Sequence, residues 1–307
     1  MQATNFHLCI RLHPQATAQQ PAAIDEVKLQ KTIRDNVDNP FFISASQVQN
    51  ILKQYPGLTI DKFLVNFVPI AQLFARPPIS EYKVGVVGLG LSGNIYLGVN
   101  LEFGDLPATI HGEQFMTINA RNHGEEYITK MALSAAPCGC CRQFLNEIGN
   151  QPGKEASNIN FLIPGKPQYT LGELLPEAFG PADLGVQGGL LSPMPIPSSL
   201  NLEERARQAA HSSYAPYSKC PSGVAIQTTD GRIFSGSYVE NAAFNPAIPP
   251  LTSALVACVA ANVSYKDISR VVLCEGSTGK VRQQMPTIDV IKNINPDIDF
   301  EVIDLNQ

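Results

Sequence analysis

No apolar run in this sequence approaches the roughly 18 residues that a membrane-spanning helix needs, so no spanning segment is expected. Lys and Arg nowhere gather into a run, and the formal net charge is -5 with a pI near 5.6. Nucleic-acid binding calls for a basic patch, and no stretch here supplies one. Charged residues make up only 16% of the chain and hydrophobic residues 44%. That balance argues against long disordered tails. The 307 residues allow a large core and more than one domain. The N-terminus, MQATNFHLCIRLHPQ, lacks the charged-then-apolar order of a secretory leader. Nor do the cysteines form a disulfide framework: Cys9, Cys138, Cys140, Cys141, Cys220, Cys258 and Cys274 are odd in number and irregular in spacing. Reduced thiols in a cytoplasmic setting are the expectation.

What the sequence does have is one unit written twice. PPISEYKVGVV followed by GNIYLGVNLEF returns 138 residues later as APYSKCPSGVA followed by GRIFSGSYVEN. Pro78, Ser80, Gly93, Ile95, Gly98 and Glu102 match Pro216, Ser218, Gly231, Ile233, Gly236 and Glu240 without slippage. Such self-similarity implies two copies of one supersecondary unit. The helix-like stretches LTIDKFLVNFVPIAQLFAR and NLEERARQAAHSSYA each precede a pair of strands, at 83–88 with 94–99 and at 222–227 with 233–238. Hairpin turns are expected over 90–93 and 228–231. Further strands are predicted at 128–135, 159–164, 270–274 and 300–305, with helical segments between them, giving a layered α/β unit used twice. A Gly-, Pro- and Ser-rich linker is expected over 187–199. The first 50 residues have no repeat partner; they read as a small N-terminal helical segment with one helix near 46–55. The expected organisation is therefore 1–50, a unit over 51–186, the linker, and a second unit over 200–307.

The chemistry is concentrated in the first copy. TIHGEQF holds His111 and Glu113; AAPCGCCRQF holds Cys138 and Cys141. His-x-Glu followed by Pro-Cys-x-x-Cys is a zinc deaminase signature. Two thiolates and one imidazole hold a metal and leave one position open, where a structural zinc site would want a fourth protein ligand. Glu113 is the proton-transfer group beside them. Pro137 precedes a helical stripe of Phe144, Leu145 and Ile148, so Cys138 and Cys141 stand one turn apart on one face, near a positive helix end that favours thiolate. At that spacing Cys140 points away from the ligands. His7 and His13 lie in the N-terminal segment, and His123 and His211 near helix ends, where surface or capping roles are commoner than catalysis. At the 138 offset His111 falls on Pro249, Glu113 on Leu251, and Cys138 and Cys141 on Gly276 and Gly279. The second copy is expected to keep the fold and hold no catalytic metal.

These strings resemble the cytidine deaminase family, in its dimeric form with a catalytic domain followed by a degenerate one. The likeness runs from about residue 50 to the end and includes GNIYLGVNLEF, APCGCCRQFLNEI, PEAFGPADL and GRIFSGSYVENAAFNP. It implies a three-layer α/β domain with a mixed sheet, present twice, and a zinc-dependent hydrolase converting cytidine and deoxycytidine to uridine and deoxyuridine in pyrimidine salvage. It implies Zn2+ on His111, Cys138 and Cys141, catalysis by Glu113, sugar binding by Asn100 and Glu102, and a homodimer whose pockets depend on the second domain. Tyr82 stands where the family usually has Phe near the pyrimidine ring, and Phe179 is expected to help close the pocket. PCGCC replaces the family's usual PCGHC, which places Cys140 at a non-ligand position. A deaminase of polynucleotide cytosine would share the metal site but needs basic or aromatic tracks for a single strand. A non-catalytic assembly protein would have no use for Glu113.

Overall fold

The fold is described from a computed structural model over residues 25–37, 39–151, 153–186, 189–192 and 196–306. His7, Cys9, His13 and parts of the expected linker lie outside the described residues. The first half runs α1 (Glu26–Asn36), β1 (Phe42–Ile43), α2 (Ala45–Gln54), α3 (Ile60–Gln72), β2 (Gly85–Gly90), β3 (Ile95–Val99), α4 (Gly112–Asn122), β4 (Ile128–Leu133) and α5 (Gly139–Leu145). A short ribbon of β5 (Asn150–Gln151) and β6 (Lys154–Glu155) comes next, then β7 (Asn160–Leu162), β8 (Tyr169–Thr170) and α6 (Leu171–Leu174). The second half contains α7 (Leu202–His211), β9 (Ser222–Thr228), β10 (Ile233–Ser237), α8 (Pro250–Ala260), β11 (Ile268–Glu275), α9 (Gln284–Ile294) and β12 (Asp299–Asp304).

Both sheets are mixed. The first has the order β1-β3-β2-β4-β7-β8 and the second β10-β9-β11-β12. β4 pairs with β7, and β11 with β12, in parallel, while the other pairings are antiparallel. Strand β2 begins at Gly85 rather than at residue 83 and continues through Gly90, a residue expected in the turn. The turn closes with Gly93 N–H donating to the Gly90 carbonyl at 3.0 Å, and Gly93 and Gly231 take φ of +82° and +86°. Only glycine adopts that backbone without strain.

The helical segment before residue 50 is not independent of the first sheet. Its helix α2 is started by Ser44, whose hydroxyl accepts from Gln47 N–H at 3.3 Å while Gln47 Oε1 accepts from Ser44 N–H at 3.0 Å. Just before it, β1 pairs with β3 as the edge of that sheet. Phe41 is buried there, stacked on Phe115 with ring centroids 5.4 Å apart. The apolar content of FFI, too small to form a core of its own, is thus spent on the neighbouring one.

The repeat holds atom by atom. Gly85 faces α3, where a Cβ would come 2.6 Å from the Val68 carbonyl oxygen; Gly223 faces α7, 2.7 Å from that of Ala206. Gly98 faces α4, 2.0 Å from the Gly112 oxygen; Gly236 faces α8, 2.5 Å from that of Pro250. These close approaches set three layers in each half, helix on sheet on helix. α4 and α8 pack on each other, joining the halves. After α8 the correspondence slips by two residues: Val86 pairs with Leu133, whereas its counterpart Val224 pairs with Leu273. At the slipped offset Cys138 and Cys141 fall on Thr278 and Val281, not on Gly276 and Gly279. Neither pair can ligate.

Gly98→Ala is expected to destabilise the protein by about 1–3 kcal/mol or more, because backbone must move to admit the methyl group. Gly276→Ala, with nothing within 4 Å of its Cβ, should stay within about 0.5 kcal/mol of the parent. Urea unfolding of the two variants checks the contrast.

Candidate metal centre and active site

The chain reaches α4 through two isolated bridges, Arg76 with Leu101 and Leu101 with Ile110, reproduced in the second half by Tyr214 with Val239 and Val239 with Ile248. Leu101 thereby delivers His111 to the N-cap of α4, in extended conformation, with Gln114 Oε1 accepting its backbone N–H at 2.9 Å. Glu113 lies in the first turn of the same helix and is buried. Cys138 caps α5, its sulfur accepting from Cys141 N–H at 3.4 Å. Arg142 holds the approach to that cap by donating from Nε to the Pro137 carbonyl at 2.9 Å.

These two helix starts converge. His111 Nδ1 is 3.4 Å from the sulfur of Cys138 and 3.4 Å from that of Cys141. All three donor atoms lie within 4.8 Å of one another, the one such metal-capable group among the described residues. Hydrogen bonds from the Cys141 side chain and from His111 hold the Cys138 pKa down to about 3. The same bond, together with burial, pushes the Cys141 thiol up. The bond to Cys138 raises His111 against the effect of its burial. Burial raises Glu113, whose carboxyl shares a hydrogen bond with the Cys141 thiol. Donor atoms this close would exchange such protons for a soft divalent cation. Two sulfurs and an imidazole, with no fourth side chain among the described residues, suit a tetrahedral ion with one open position. Cys140 is exposed and outside the group.

The expected sugar- and base-binding residues are differently placed. The Asn100 amide is engaged within the chain: Oδ1 accepts from Val84 N–H at 3.0 Å and Nδ2 donates to the Tyr82 carbonyl at 2.9 Å. Glu102 accepts from the backbone of Ile79 at 3.0 Å and of Ser80 at 2.8 Å, and from the Ser80 hydroxyl. The second half repeats this, with Glu240 accepting from Tyr217 N–H at 2.8 Å and Ser218 N–H at 3.1 Å. A contact kept where the metal ligands are lost belongs at least to the fold. Tyr82 and Phe179 present exposed rings, at 59% and 49%. The cavity beside His111, between the halves, is about 130 Å³, well below the roughly 300 Å³ usual for small-molecule pockets.

Several residues that shape the site carry no motif. Glu147, at the end of α5, is fully buried and accepts from Ala242 N–H at 2.7 Å and from the hydroxyls of Tyr214 at 2.8 Å and Tyr217 at 3.0 Å. Burial raises its pKa, opposed by those hydrogen bonds. Asn241 Nδ2 donates to the Gln143 carbonyl at 3.0 Å. The second half therefore grips the helix that carries both cysteines. A glutamate in NEIGN looks like a surface residue until its partners, some 70 to 100 residues away, are known.

The family described as the cytidine and deoxycytidylate deaminase zinc-binding region matches residues 60–152, and a second match of the same description covers 171–287. A cytidine deaminase of Vibrio cholerae is 37% identical over 297 residues, 95% of this chain and 98% of its own length. One of Yersinia pestis is 38% identical over 255 residues, 81% of this chain and 85% of its own. The second match spans the half in which His111 and Glu113 are replaced by Pro249 and Leu251.

About one tightly held metal ion per chain is expected, because the described residues contain one ligand set of the right chemistry. Cys141→Ala should lose the metal and lower thermal stability. Elemental analysis of purified protein checks the metal content and a thermal melt the stability; two ions per chain would contradict an empty second half.

Proposed function

The chain belongs to the cytidine deaminase family, and from that premise we propose that it hydrolyses cytidine and deoxycytidine to uridine and deoxyuridine, releasing ammonia, as a step of pyrimidine salvage. The observation that carries this reading is the buried Glu113 carboxyl set against a cluster of His111, Cys138 and Cys141 that does not need it as a ligand. A zinc ion held by the cluster would supply the Lewis acidity that makes water a nucleophile near neutral pH. Glu113 accepts a proton from that water as its oxygen attacks the amidine carbon of the pyrimidine. It delivers the proton to the adjacent ring nitrogen. The hydroxyl proton left on the attacked carbon passes by way of the same carboxyl to the exocyclic amine, the carbon–nitrogen bond breaks, and ammonia leaves as the carbonyl forms. One positioned carboxyl serves both directions of transfer.

Residues 51–186, with β1 added at their edge, form the catalytic unit in this reading, and 200–307 the degenerate one. Asn100 and Glu102 then act in two ways. Their hydrogen bonds shape the loop over 79–84, and their remaining polar capacity faces a sugar hydroxyl. Because the space beside His111 is small, the nucleoside pocket is completed by a second copy, as a homodimer would do. Tyr82 and Phe179, exposed in one chain, are its aromatic walls. The low charge of the chain supports a free nucleoside over a polynucleotide.

Glu113→Gln should keep zinc and fold while kcat for cytidine falls by about 10²–10⁴-fold; near-normal turnover in the zinc-loaded variant would refute the role. Glu240→Ala and Glu102→Ala should both lower stability, since each removes a cap on two backbone N–H groups. Only Glu102→Ala should also depress kcat/KM for cytidine more than for free cytosine. Equal losses on the two substrates would leave Glu102 a purely structural residue. Assay of the parent protein on a cytosine-containing oligonucleotide beside cytidine tests the substrate class.

A further inference from the structure

A cleft of about 410 Å³ lies between the halves at the end of α4 remote from His111. It is lined by Arg121 and His123 from the end of α4, Arg205 from α7, and Phe234, Ser235 and Ser237 from β10. Among the described residues no carboxylate lines it. Arg121 is 5% exposed and donates from Nε to the Leu190 carbonyl at 3.1 Å and from Nη2 to that of Ser212. Arg205 donates from Nη1 to the Ile233 carbonyl at 2.8 Å. All of these acceptors are neutral. Among the described residues neither guanidinium enters an ion pair. Arg205 Nε and Ser235 Oγ are buried without any hydrogen-bond partner.

The repeat shows that the fold does not require these groups. At the 138 offset Arg121 corresponds to Val259 and Arg205 to Phe67, while Ser235 and Ser237 correspond to Leu97 and Val99; all four counterparts are buried and apolar. The first half also covers the matching region with β1, which pairs with β3, whereas β10 is the edge of its sheet. Polar and cationic side chains have thus replaced core residues beside an edge that no described strand covers. The C-terminal end of α4 offsets only roughly half a unit of charge, against two guanidiniums. A buried donor left without a partner is costly, and such groups are paired in stable proteins, by a ligand where the chain does not pair them.

We infer that this cleft binds a small phosphate monoester. Arg guanidiniums match phosphate oxygens in charge and geometry. The orphaned Arg205 Nε–H and the Ser235 hydroxyl supply further donors. The volume falls in the range of roughly 300–1,000 Å³ typical of small-ligand pockets and leaves room for an organic group beyond the phosphate. His123 donates from Nδ1 to the Asn119 carbonyl at 2.9 Å and stacks on Phe42 at 4.4 Å, so its ring is held in place at the rim.

The test is calorimetric titration of the full-length, zinc-loaded protein with ribose 5-phosphate, inorganic phosphate and ribose. Ribose 5-phosphate should bind and raise the thermal midpoint, and ribose should do neither. Weaker binding of inorganic phosphate assigns the site to the ester; equal binding assigns it to the phosphate group alone. Arg205→Gln should weaken binding by about tenfold or more with zinc content unchanged. Arg121→Gln should do the same, but it also breaks the bonds to Leu190 and Ser212, so the decisive variant is Arg205→Gln, on the cleft wall. Absence of binding by both phosphates, equal binding of ribose, or unchanged affinity in Arg205→Gln would overturn the inference. The readout is binding, so it is independent of whether the protein deaminates cytidine.

Discussion

At Gly98 the backbone of α4 lies so close to β3 that a methyl group would sit 2.0 Å from the Gly112 carbonyl oxygen. Contact this tight leaves α4 no freedom to slide, because interiors are packed like crystals and accommodate displacement poorly. It fixes the first turn of the helix, and that turn carries His111 and Glu113. On the other side of the site Cys138 and Cys141 occupy the first turn of α5, which Arg142 ties to Pro137. The ligand cluster therefore depends on the placement of two helix starts against one sheet. The bond between His111 and the sulfurs is a consequence of that placement. Glu113 owes its burial to it as well.

The second half acts as an internal control on the first. It keeps the glycine contacts at Gly223 and Gly236, the bridge pattern around Val239 and the carboxylate cap at Glu240. It has lost the imidazole, the thiols and the buried carboxyl. What survives is what the fold needs. Asn100 has no counterpart amide, since the matching position is Tyr238, yet its own amide also ties Val84 to Tyr82. The degenerate half is not inert packing material either, since Ala242, Tyr214 and Tyr217 close around Glu147 and so restrain α5.

Buried charge marks the joint between the halves. Among the described residues Glu147 is satisfied by a backbone N–H and two hydroxyls, without a cation, and Arg121 by carbonyls, without a carboxylate. Removing one partner of such a group leaves a desolvated charge, which is far more costly than losing a surface pair. The contrast with the exposed ion pairs is plain: Lys31 with Asp35 is mostly solvated on both sides. The interface between the halves is thus specified by a few polar groups of high individual consequence, set into a core that is otherwise continuous from one half to the other.

The order of the motifs pointed to the family's metal site by itself. His-x-Glu and Pro-Cys-x-x-Cys mark a His/Cys/Cys group able to hold a metal, with a carboxyl beside it, through residue type and helical spacing, which are local properties. The repeat determined the doubled α/β architecture, because glycines, turn residues and strand alternation are also written locally. Several things were decided only by tertiary structure. The strand formed by Phe42 and Ile43 belongs to a sheet because β3, about 50 residues away, offers an open edge. The two-residue slip after α8 is invisible until strand partners are paired. Glu102 reads from sequence as a sugar ligand, yet its oxygens already accept three hydrogen bonds from a loop some 20 residues upstream. Glu147 and Arg121 resemble ordinary surface residues of helices in the sequence. Burial and charge balance depend on which segments meet in space, and residue type alone does not encode that.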